Sequence, residues 1–184
     1  TGGGKTYTAT IWLLKRAINR GKKILWIAHR KELLDQAAET FQAHAYADYL
    51  TKVASFRYRI VSGDREHDRT RTICKTDNVL FASKDSIGKN LDALKKWFGS
   101  EEELYLVIDE AHHATAKTYR TIIDLVKKRI KRSKIIGLTA TPFRTAESEQ
   151  GLLSKIFTDG VCDNKPVAGH CGMAYKIGLK ELIG

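Results

Sequence analysis

Residues 104–112 read LYLVIDEAH, and this stretch decides the fold. Its first five residues are apolar, and a short, wholly apolar run is typical of a strand covered on both faces, as in a parallel sheet. Two carboxylates, Asp109 and Glu110, follow directly. Ligands of open parallel sheets bind at the carboxyl ends of the strands, so these two side chains are expected at a ligand-binding edge.

A second motif stands at the start of the chain, where residues 1–6 read TGGGKT. Gly-Lys-Thr is typical of a phosphate-binding loop, because glycine tolerates positive φ and leaves its backbone N–H groups free to wrap a phosphate chain. In such a loop Lys5 reaches the β- and γ-phosphates and the Thr6 hydroxyl binds Mg²⁺. The predicted nucleotide-binding residues are Thr1, Gly2, Gly3, Gly4, Lys5 and Thr6.

Together the two motifs predict a site for ATP and Mg²⁺. Asp109 would hold the metal ion through water, while Glu110 would orient and deprotonate the attacking water. We therefore expect Glu110, Asp109 and Lys5 to be catalytic, and Thr6 and Asp109 to bind the metal. The alternative for TGGGKT is a flexible glycine-rich terminus, which does not explain the strand and the DEAH sequence downstream.

The composition favours a cytoplasmic protein of one domain, or one domain with an appendage, that acts on a polyanion. A chain of 184 residues with 42% hydrophobic residues can bury a core. No apolar stretch is long enough to span a membrane, and no signal peptide is evident. The net charge of +11 favours nucleic acid as the partner. The densest basic run, residues 127–134, ends a predicted helix, where a solvated face is the simpler interpretation.

The three cysteines are odd in number and far apart, which suits a reducing compartment better than a disulfide framework. A zinc site could combine Cys162, His170 and Cys171. Adjacent ligands are awkward for tetrahedral geometry, however, and neither a C-x-x-C pair nor a fourth ligand is evident. We therefore interpret the cysteines as ordinary thiols.

Helical and strand patterns alternate along the chain. Apolar or alternating runs predict strands at residues 24–28, 56–60, 79–82, 104–108 and 135–138. Helical spacing of apolar residues predicts helices at residues 8–18, 33–41, 87–98 and 119–130. Asp85 or Ser86 is expected to cap the third helix and Gly99 to end it. This order predicts βαβ units with a mostly parallel central sheet between layers of helices, an α/β three-layer sandwich.

Five segments, in this order, resemble motifs I, Ia, Ib, II and III of superfamily 2 helicases and translocases: TGGGKT, IAHRKELLDQA, FASKDSI, LVIDEAHHA and GLTATPFR. The phrases AHRKELLDQA, DEAHHATAKTYR and LTATPFR are most similar to the branch that contains restriction-enzyme motor subunits and XPB-like DNA helicases. The resemblance covers residues 1–145 and implies a RecA-like P-loop NTPase fold.

The resemblance implies that His112, Thr139 and Thr141 couple the state of ATP to domain closure. Without it, the two threonines would be turn residues before Pro142. The adjacent His113 is expected to be a packing or surface histidine.

Three further residues, Arg30, Ser83 and Lys84, would by the same resemblance lie near the nucleic-acid backbone. This chain has Ser-Lys-Asp-Ser where a Thr followed by Gln-Thr or Gln-Ser is usual. The alternative for Arg30 is a surface arginine that caps the next helix.

The resemblance also implies a domain organisation. Residues 1–145 would form the first RecA-like domain, and residues 146–184 its end and the exit toward a second RecA-like domain. Within this last part the residue pattern, and not the resemblance, predicts a short helix at 151–157 and a strand plus turn at 174–182. The loop pattern needs two more residues before Thr1 and a strand to launch it. We therefore expect a piece of a longer protein, inactive alone because arginines of the second lobe complete such sites.

The resulting prediction is the ATP-binding motor domain of a DNA helicase or translocase, which couples Mg-ATP hydrolysis to movement on nucleic acid. Its expected partners are DNA rather than RNA, the second RecA-like domain, and a nuclease or modification subunit, with no membrane. The alternatives are an RNA helicase and a nucleic-acid-binding module without catalysis. The latter does not explain the intact Lys5, Thr6, Asp109 and Glu110. A P-loop kinase or GTPase would not explain the TATP sequence, and the chain has no N-K-x-D.

Overall fold

The computed structural model describes residues 4–140 and 147–158 of the chain. Within these residues five parallel strands form one sheet in the order β2-β3-β1-β4-β5. The strands are β1 Lys23–Ala28, β2 Tyr58–Val61, β3 Val79–Ser83, β4 Glu103–Asp109 and β5 Arg132–Leu138. The central strands β1 and β4 are buried along their whole length, as their apolar sequences predicted, and β2 forms one edge.

Helices connect the strands and cover the sheet. They are α1 Lys5–Arg16, α2 Lys31–His44, α3 Lys84–Gly88, α4 Leu91–Phe98, α5 Lys117–Arg129 and α6 Glu147–Ile156. Short 3₁₀ turns follow α1 at Ile18–Arg20 and β4 at Ala111–His113. In the described part of the chain no helix is long and apolar enough to cross a membrane.

The sheet separates two apolar cores. On one face Trp26, Phe81 and Tyr105 pack with residues of α1 and α2. On the other face alternate strand residues such as Leu25 and Leu106 pack with residues of α3, α4 and α5. A parallel sheet with helices on both faces confirms the predicted α/β three-layer sandwich.

Several predicted boundaries are wrong. The third predicted helix is two helices, α3 and α4, and the cap is Ser83, whose hydroxyl accepts a hydrogen bond from the backbone N–H of Ser86. Helix α1 begins earlier than predicted because the left-handed Gly4 starts it. Helix α6 also begins earlier than its predicted position, and β5 begins at Arg132 rather than residue 135.

Other expectations lie outside the described residues. These are the strand and turn at 174–182, the zinc alternative at Cys162, His170 and Cys171, and the site residues Thr1, Gly2, Gly3 and Thr141.

Candidate nucleotide and nucleic-acid site

The carboxyl ends of four strands meet at one edge of the sheet. Ala28 of β1 is in register with Ser83 of β3, and Asp109 of β4 is in register with Leu138 of β5. The residues that follow these strand ends carry most of the predicted chemistry. The sheet register therefore brings the predicted nucleotide and nucleic-acid residues to the same edge.

The described end of the predicted phosphate-binding loop, from Gly4 onward, begins helix α1. Gly4 occupies the N-cap position with φ 64°, a left-handed conformation that favours glycine, and a Cβ added there would meet nothing within 4 Å. Its carbonyl accepts the first helical hydrogen bond, from Thr8 N at 2.8 Å. The first turn contains no acidic residue. Lys5 and Thr6 thus lie at a helix N-terminus whose free N–H groups attract anions.

Asp109 faces the same side of the sheet as α1, because it continues the alternation of Tyr105 and Val107. It is 6% exposed, and its Oδ1 accepts a hydrogen bond from Glu110 N at 2.9 Å. Burial raises the pKa of this carboxyl above its usual range. The charge of Lys5 acts in the opposite direction and lowers the pKa, so the lysine of the phosphate loop and the first DEAH carboxylate share one electrostatic environment.

Trp26 of β1, which is in register with Val107, lies on the same face of the sheet as Asp109. Its indole N–H is near enough to lower the pKa of the carboxyl, but it does not reach hydrogen-bonding geometry and has no other partner among the described residues. The buried carboxylate therefore keeps acceptor capacity for a ligand.

Glu110 is the one non-glycine residue with positive φ in the described part of the chain, at φ 52° and ψ 56°. Left-handed backbone costs a non-glycine residue about 1–3 kcal/mol and is found at functional sites. The left-handed conformation of Glu110 redirects the chain from β4 into the 3₁₀ turn Ala111–His113. It leaves the glutamate half-buried at the strand end rather than in the core.

His112 joins this turn to β5. Its Nδ1 lies 3.1 Å from Thr139 Oγ1 and 3.3 Å from Glu110 Oε2. The structure therefore brings together two of the three predicted coupling residues, and it links them to the predicted catalytic glutamate.

The three predicted nucleic-acid residues differ in the hydrogen bonds that their side chains make within the chain. Arg30 is exposed at the N-cap position of α2, as the alternative interpretation expected, although its side chain makes no capping hydrogen bond. Lys84 Nζ donates to Asp85 Oδ1 at 2.8 Å. Ser83 Oγ donates to Ser86 Oγ at 2.9 Å in addition to accepting the capping bond. The Ser83 hydroxyl is thus committed to helix α3, a role that sequence reasoning had given to its neighbours.

Sequence reasoning did not assign two buried polar atoms at this edge, the hydroxyl of Tyr119 and the Nδ1 of His29. Tyr119 is fully buried and its hydroxyl has no hydrogen-bond partner among the described residues. Burial raises the pKa of Tyr119, and the negative charges of Asp109, Asp85 and Glu110 raise it further. His29 has a buried Nδ1, likewise without a partner within the described residues. Both residues lie inside segments that carry the resemblance, IAHRKELLDQA and DEAHHATAKTYR, but sequence reasoning gave neither of them a role in the site.

The residues present fit a magnesium nucleotide. Mg²⁺ usually keeps several waters and is held by one or two carboxylates together with substrate phosphates. Asp109 has no salt bridge within the described residues, and Thr6 lies in the first turn of α1. No described group of three or more His, Cys, Asp or Glu side chains could hold a metal ion by itself. A cation held jointly with phosphate suits this donor set better than an all-protein cage.

The fold and this arrangement of motifs define a RecA-like motor domain of the helicase superfamily. The chain belongs to the family described as type III restriction enzyme, res subunit, whose model matches residues 1–144.

Curated relatives carry helicase and restriction-enzyme names. The ATP-dependent DNA helicase mph1 of Aspergillus fumigatus is 26% identical over 160 residues, which are 85% of this chain and 14% of the relative. A type I restriction enzyme EcoAI endonuclease subunit of Escherichia coli is 32% identical over 155 residues, 80% of this chain and 16% of the relative. The putative ATP-dependent helicase IRC3 of Saccharomyces cerevisiae is 28% identical over 149 residues, which are 77% of this chain and 19% of the relative. The chain spans less than a fifth of the length of each of these relatives.

Solved structures share the fold. The Hef helicase domain of Pyrococcus furiosus superposes with a TM-score of 0.62 at 24% identity, over 86% of this chain and 31% of that one. A second structure is that of a nuclease-deletion mutant of the type ISP restriction-modification enzyme LlaGI in complex with a DNA substrate mimic. It superposes with a TM-score of 0.53 at 19% identity, over 84% of this chain and 16% of that one. At these identities the likeness shows the fold alone.

Proposed function

We propose that this chain is the ATP-binding lobe of a DNA helicase or translocase that couples ATP hydrolysis to movement along the strand. One observation carries the proposal. The phosphate-loop helix and the buried Asp109 face each other at the edge of the sheet where the strained Glu110 emerges. The printed names of the relatives, DNA helicases and restriction enzymes, favour DNA over RNA.

In this proposal the chain's own residues bind and activate the reactants. Backbone N–H groups of the loop and of the first turn of α1 bind the phosphates, and Lys5 neutralises the β- and γ-phosphates. Glu110 orients the attacking water and takes its proton. Thr6 and Asp109 would hold a magnesium ion, which supplies charge neutralisation at the transferring phosphoryl group when bound.

Coupling would pass through the contacts of His112. Because its Nδ1 lies near both Glu110 and Thr139, a shift of the end of β5 changes the surroundings of the catalytic glutamate. Thr141, just beyond, is proposed to take part with them. Arg30 and Lys84, with the backbone around Ser83, would grip the nucleic-acid phosphates at the same edge.

The full-length protein is proposed to supply the rest of the motor. Residues 1–145 would be the first RecA-like domain, with 146–184 leading toward a second one, and the greater length of the relatives leaves room for that lobe. ATP held between two lobes would close them, and hydrolysis would reopen them. An arginine contributed by the second lobe would raise turnover by about 10³-fold or more.

The proposal is tested with Glu110→Gln in the full-length protein. Since the amide keeps the shape but cannot accept a proton, ATP binding should persist while turnover falls by about 10²-fold or more. Nucleotide affinity and DNA-stimulated ATPase are measured on the same preparation. Glu102→Gln is the matched control, because Glu102 is exposed at the other end of the sheet and pairs with Lys131. Turnover within twofold of wild type for Glu110→Gln would remove this residue from catalysis.

A further inference from the structure

Three imidazole rings cluster at the carboxyl edge of the sheet. The ring centroids of His29 and His113 are 4.8 Å apart with an edge-to-face angle of 67°, and those of His113 and His112 are 4.1 Å apart. His29 directly follows β1, whereas the other two belong to the 3₁₀ turn after β4. The cluster therefore joins two loops that are far apart in the sequence.

The cluster lies between the proposed nucleic-acid residues and the proposed catalytic residue. His29 is the chain neighbour of Arg30, and the charges of Arg30 and Lys84 both reach His113. On the other side His112 Nδ1 is 3.3 Å from Glu110 Oε2. No other group of described side chains connects these two functions through direct ring contacts.

The contact between these rings is a packing contact between neutral imidazoles rather than an interaction between charges. Burial lowers the pKa of His29 and of His113, and neighbouring histidines and Arg30 lower both further, which favours the neutral rings. A metal-binding role is not supported, because no described group of three or more His, Cys, Asp or Glu residues could hold an ion. The Nδ1 of His29 is buried without a partner in the described residues, so its hydrogen-bonding capacity does not explain the ring.

His113 is tied closely to the glutamate. Its backbone N–H donates to the carbonyl of Glu110 at 3.0 Å, and Ala114 N donates to Ala111 O at 3.0 Å. These bonds make the turn a short rigid unit that begins at the left-handed Glu110. A displacement of the His113 ring would therefore move the turn and, with it, the left-handed backbone of Glu110 that positions its carboxylate.

We propose that the contact between His29 and His113 is a positioning contact that transmits nucleic-acid binding at Arg30 and Lys84 to Glu110. This inference rests on the proposed function. When the backbone around Arg30 moves on binding phosphate, His29 moves with it against His113. Only this DNA-bound arrangement shifts the glutamate from its basal orientation, so the contact is needed for stimulation and not for basal turnover. His29 and His113 are then positioning residues that touch neither nucleotide nor DNA.

The test uses the full-length protein and compares ATPase activity without and with single-stranded DNA. His29→Ala, His113→Ala and the double variant should each lower the stimulation by DNA about tenfold, a typical size for coupling between sites. Basal ATPase and nucleotide affinity should stay within twofold. The double variant should lose no more than either single one, because each removes the same contact.

Two further variants separate coupling from general damage. His113→Phe keeps a ring against His29 and should retain at least half of the stimulation. Tyr46→Ala removes an exposed aromatic partner of Tyr49 elsewhere on the surface and should behave as wild type. Circular dichroism melting identifies any variant that has lost its fold, and His113→Phe then carries the test.

The outcomes distinguish this inference from the proposed function. Wild-type protein without any ATPase would overturn the proposed function, and the coupling with it. Wild-type protein that is stimulated by DNA, together with histidine variants that are equally stimulated, would overturn only the coupling. Losses that are equal in the basal and stimulated rates, or that multiply in the double variant, would also overturn it.

Discussion

At the amino end of the central sheet the buried carboxylates have cationic partners, whereas at the carboxyl end Asp109 has no salt bridge among the described residues. Asp77, just before β3, accepts from Arg59 Nε at 2.8 Å and from Cys74 N at 2.8 Å. Glu103, the first residue of β4, has Arg20 at 3.6 Å and Lys134 at 3.8 Å. All three carboxylates are buried, at 1%, 3% and 6% exposure.

The difference separates two uses of a buried charge. A carboxylate taken out of water costs several kcal/mol unless opposite charge and hydrogen bonds compensate it, on the order of what a whole domain gains in net stability. At the amino end, ion pairs and hydrogen bonds within the fold compensate the cost of burying the carboxylates, so these charges have a structural role. At the carboxyl end this compensation is incomplete, and the remaining capacity is available to a ligand.

The largest stability effect is expected at the amino end. Asp77→Ala leaves Arg59, whose side chain is only 16% exposed, with Asp68 as its remaining carboxylate partner. Breaking a buried pair by removing one partner costs about 3–5 kcal/mol, and the surviving contact with Asp68 puts the expected loss near the lower end. Urea unfolding of the 184-residue chain measures it, with the exposed Asp124→Ala as the control. A loss below about 1 kcal/mol would show that the amino end does not depend on paired charge.

A smaller effect is expected in nucleic-acid binding, and it also distinguishes the two ends. Arg30 is exposed at the carboxyl edge, whereas Lys131, at the amino end, pairs with Glu102 at 3.0 Å. Because each neutralised phosphate releases counterions, Arg30→Ala should lower the salt dependence of DNA affinity by about one unit of slope. Lys131→Ala and Lys127→Ala should change it little.

DNA affinity of the full-length protein from low to moderate salt provides this measurement. If the two lysine variants abolished binding and Arg30→Ala did not, the nucleic acid would cross a different face of the domain.

Much of the fold could be predicted because a strand that is buried on both faces appears in the sequence as a short run of apolar residues. The apolar runs of β1, β3 and β4 matched their buried strands within one or two residues at each end. The motifs at their ends predicted one shared edge, and the parallel register brings those strand ends together.

The split between α3 and α4 could not be predicted, because apolar residues keep helical spacing across it. Ile87, Leu91, Leu94 and Phe98 suit one continuous helix. A tertiary contact coincides with the split: a Cβ on Gly88 would lie 2.5 Å from Thr118 Cγ2, so glycine allows the end of α3 to approach the start of α5 closely. Sequence periodicity carries no information on that approach.

The contact between His29 and His113 was unpredictable for a related reason. It depends on how the ends of β1 and β4 are aligned, which is set by the register of Trp26 with Val107 and Ile27 with Ile108. Two histidines separated by more than eighty positions give no pairwise signal in one sequence. The motifs therefore predicted the edge at which we propose catalysis, but not the contact between side chains that join its two loops.

The smallest expected effect is on the stability contributed by Asp109, and its sign is opposite to that at Asp77. Burial raises the pKa of Asp109 in the folded state above the usual value of 3.8, so the folded protein binds this proton more readily than the unfolded chain. The contribution of this group to stability is therefore present in acid and is lost as pH rises through the raised pKa. Asp109→Asn removes that loss, and the variant should be more stable than wild type at pH 7, by less than about 1 kcal/mol because the amide gives up part of the hydrogen bonding.

The difference in unfolding free energy between Asp109→Asn and wild type, followed from pH 7 to pH 3 in urea, isolates this group from the others that titrate. It should shrink toward acid pH. Asp92→Asn is the matched control of opposite sign: the hydrogen bond from Lys95 lowers the pKa of Asp92, so its contribution is lost as pH falls, and removing it should not stabilise the protein at pH 7. An Asp109→Asn variant that is less stable than wild type at neutral pH would mean that cations of the fold already compensate this carboxylate. The contrast between the two ends of the sheet would then disappear.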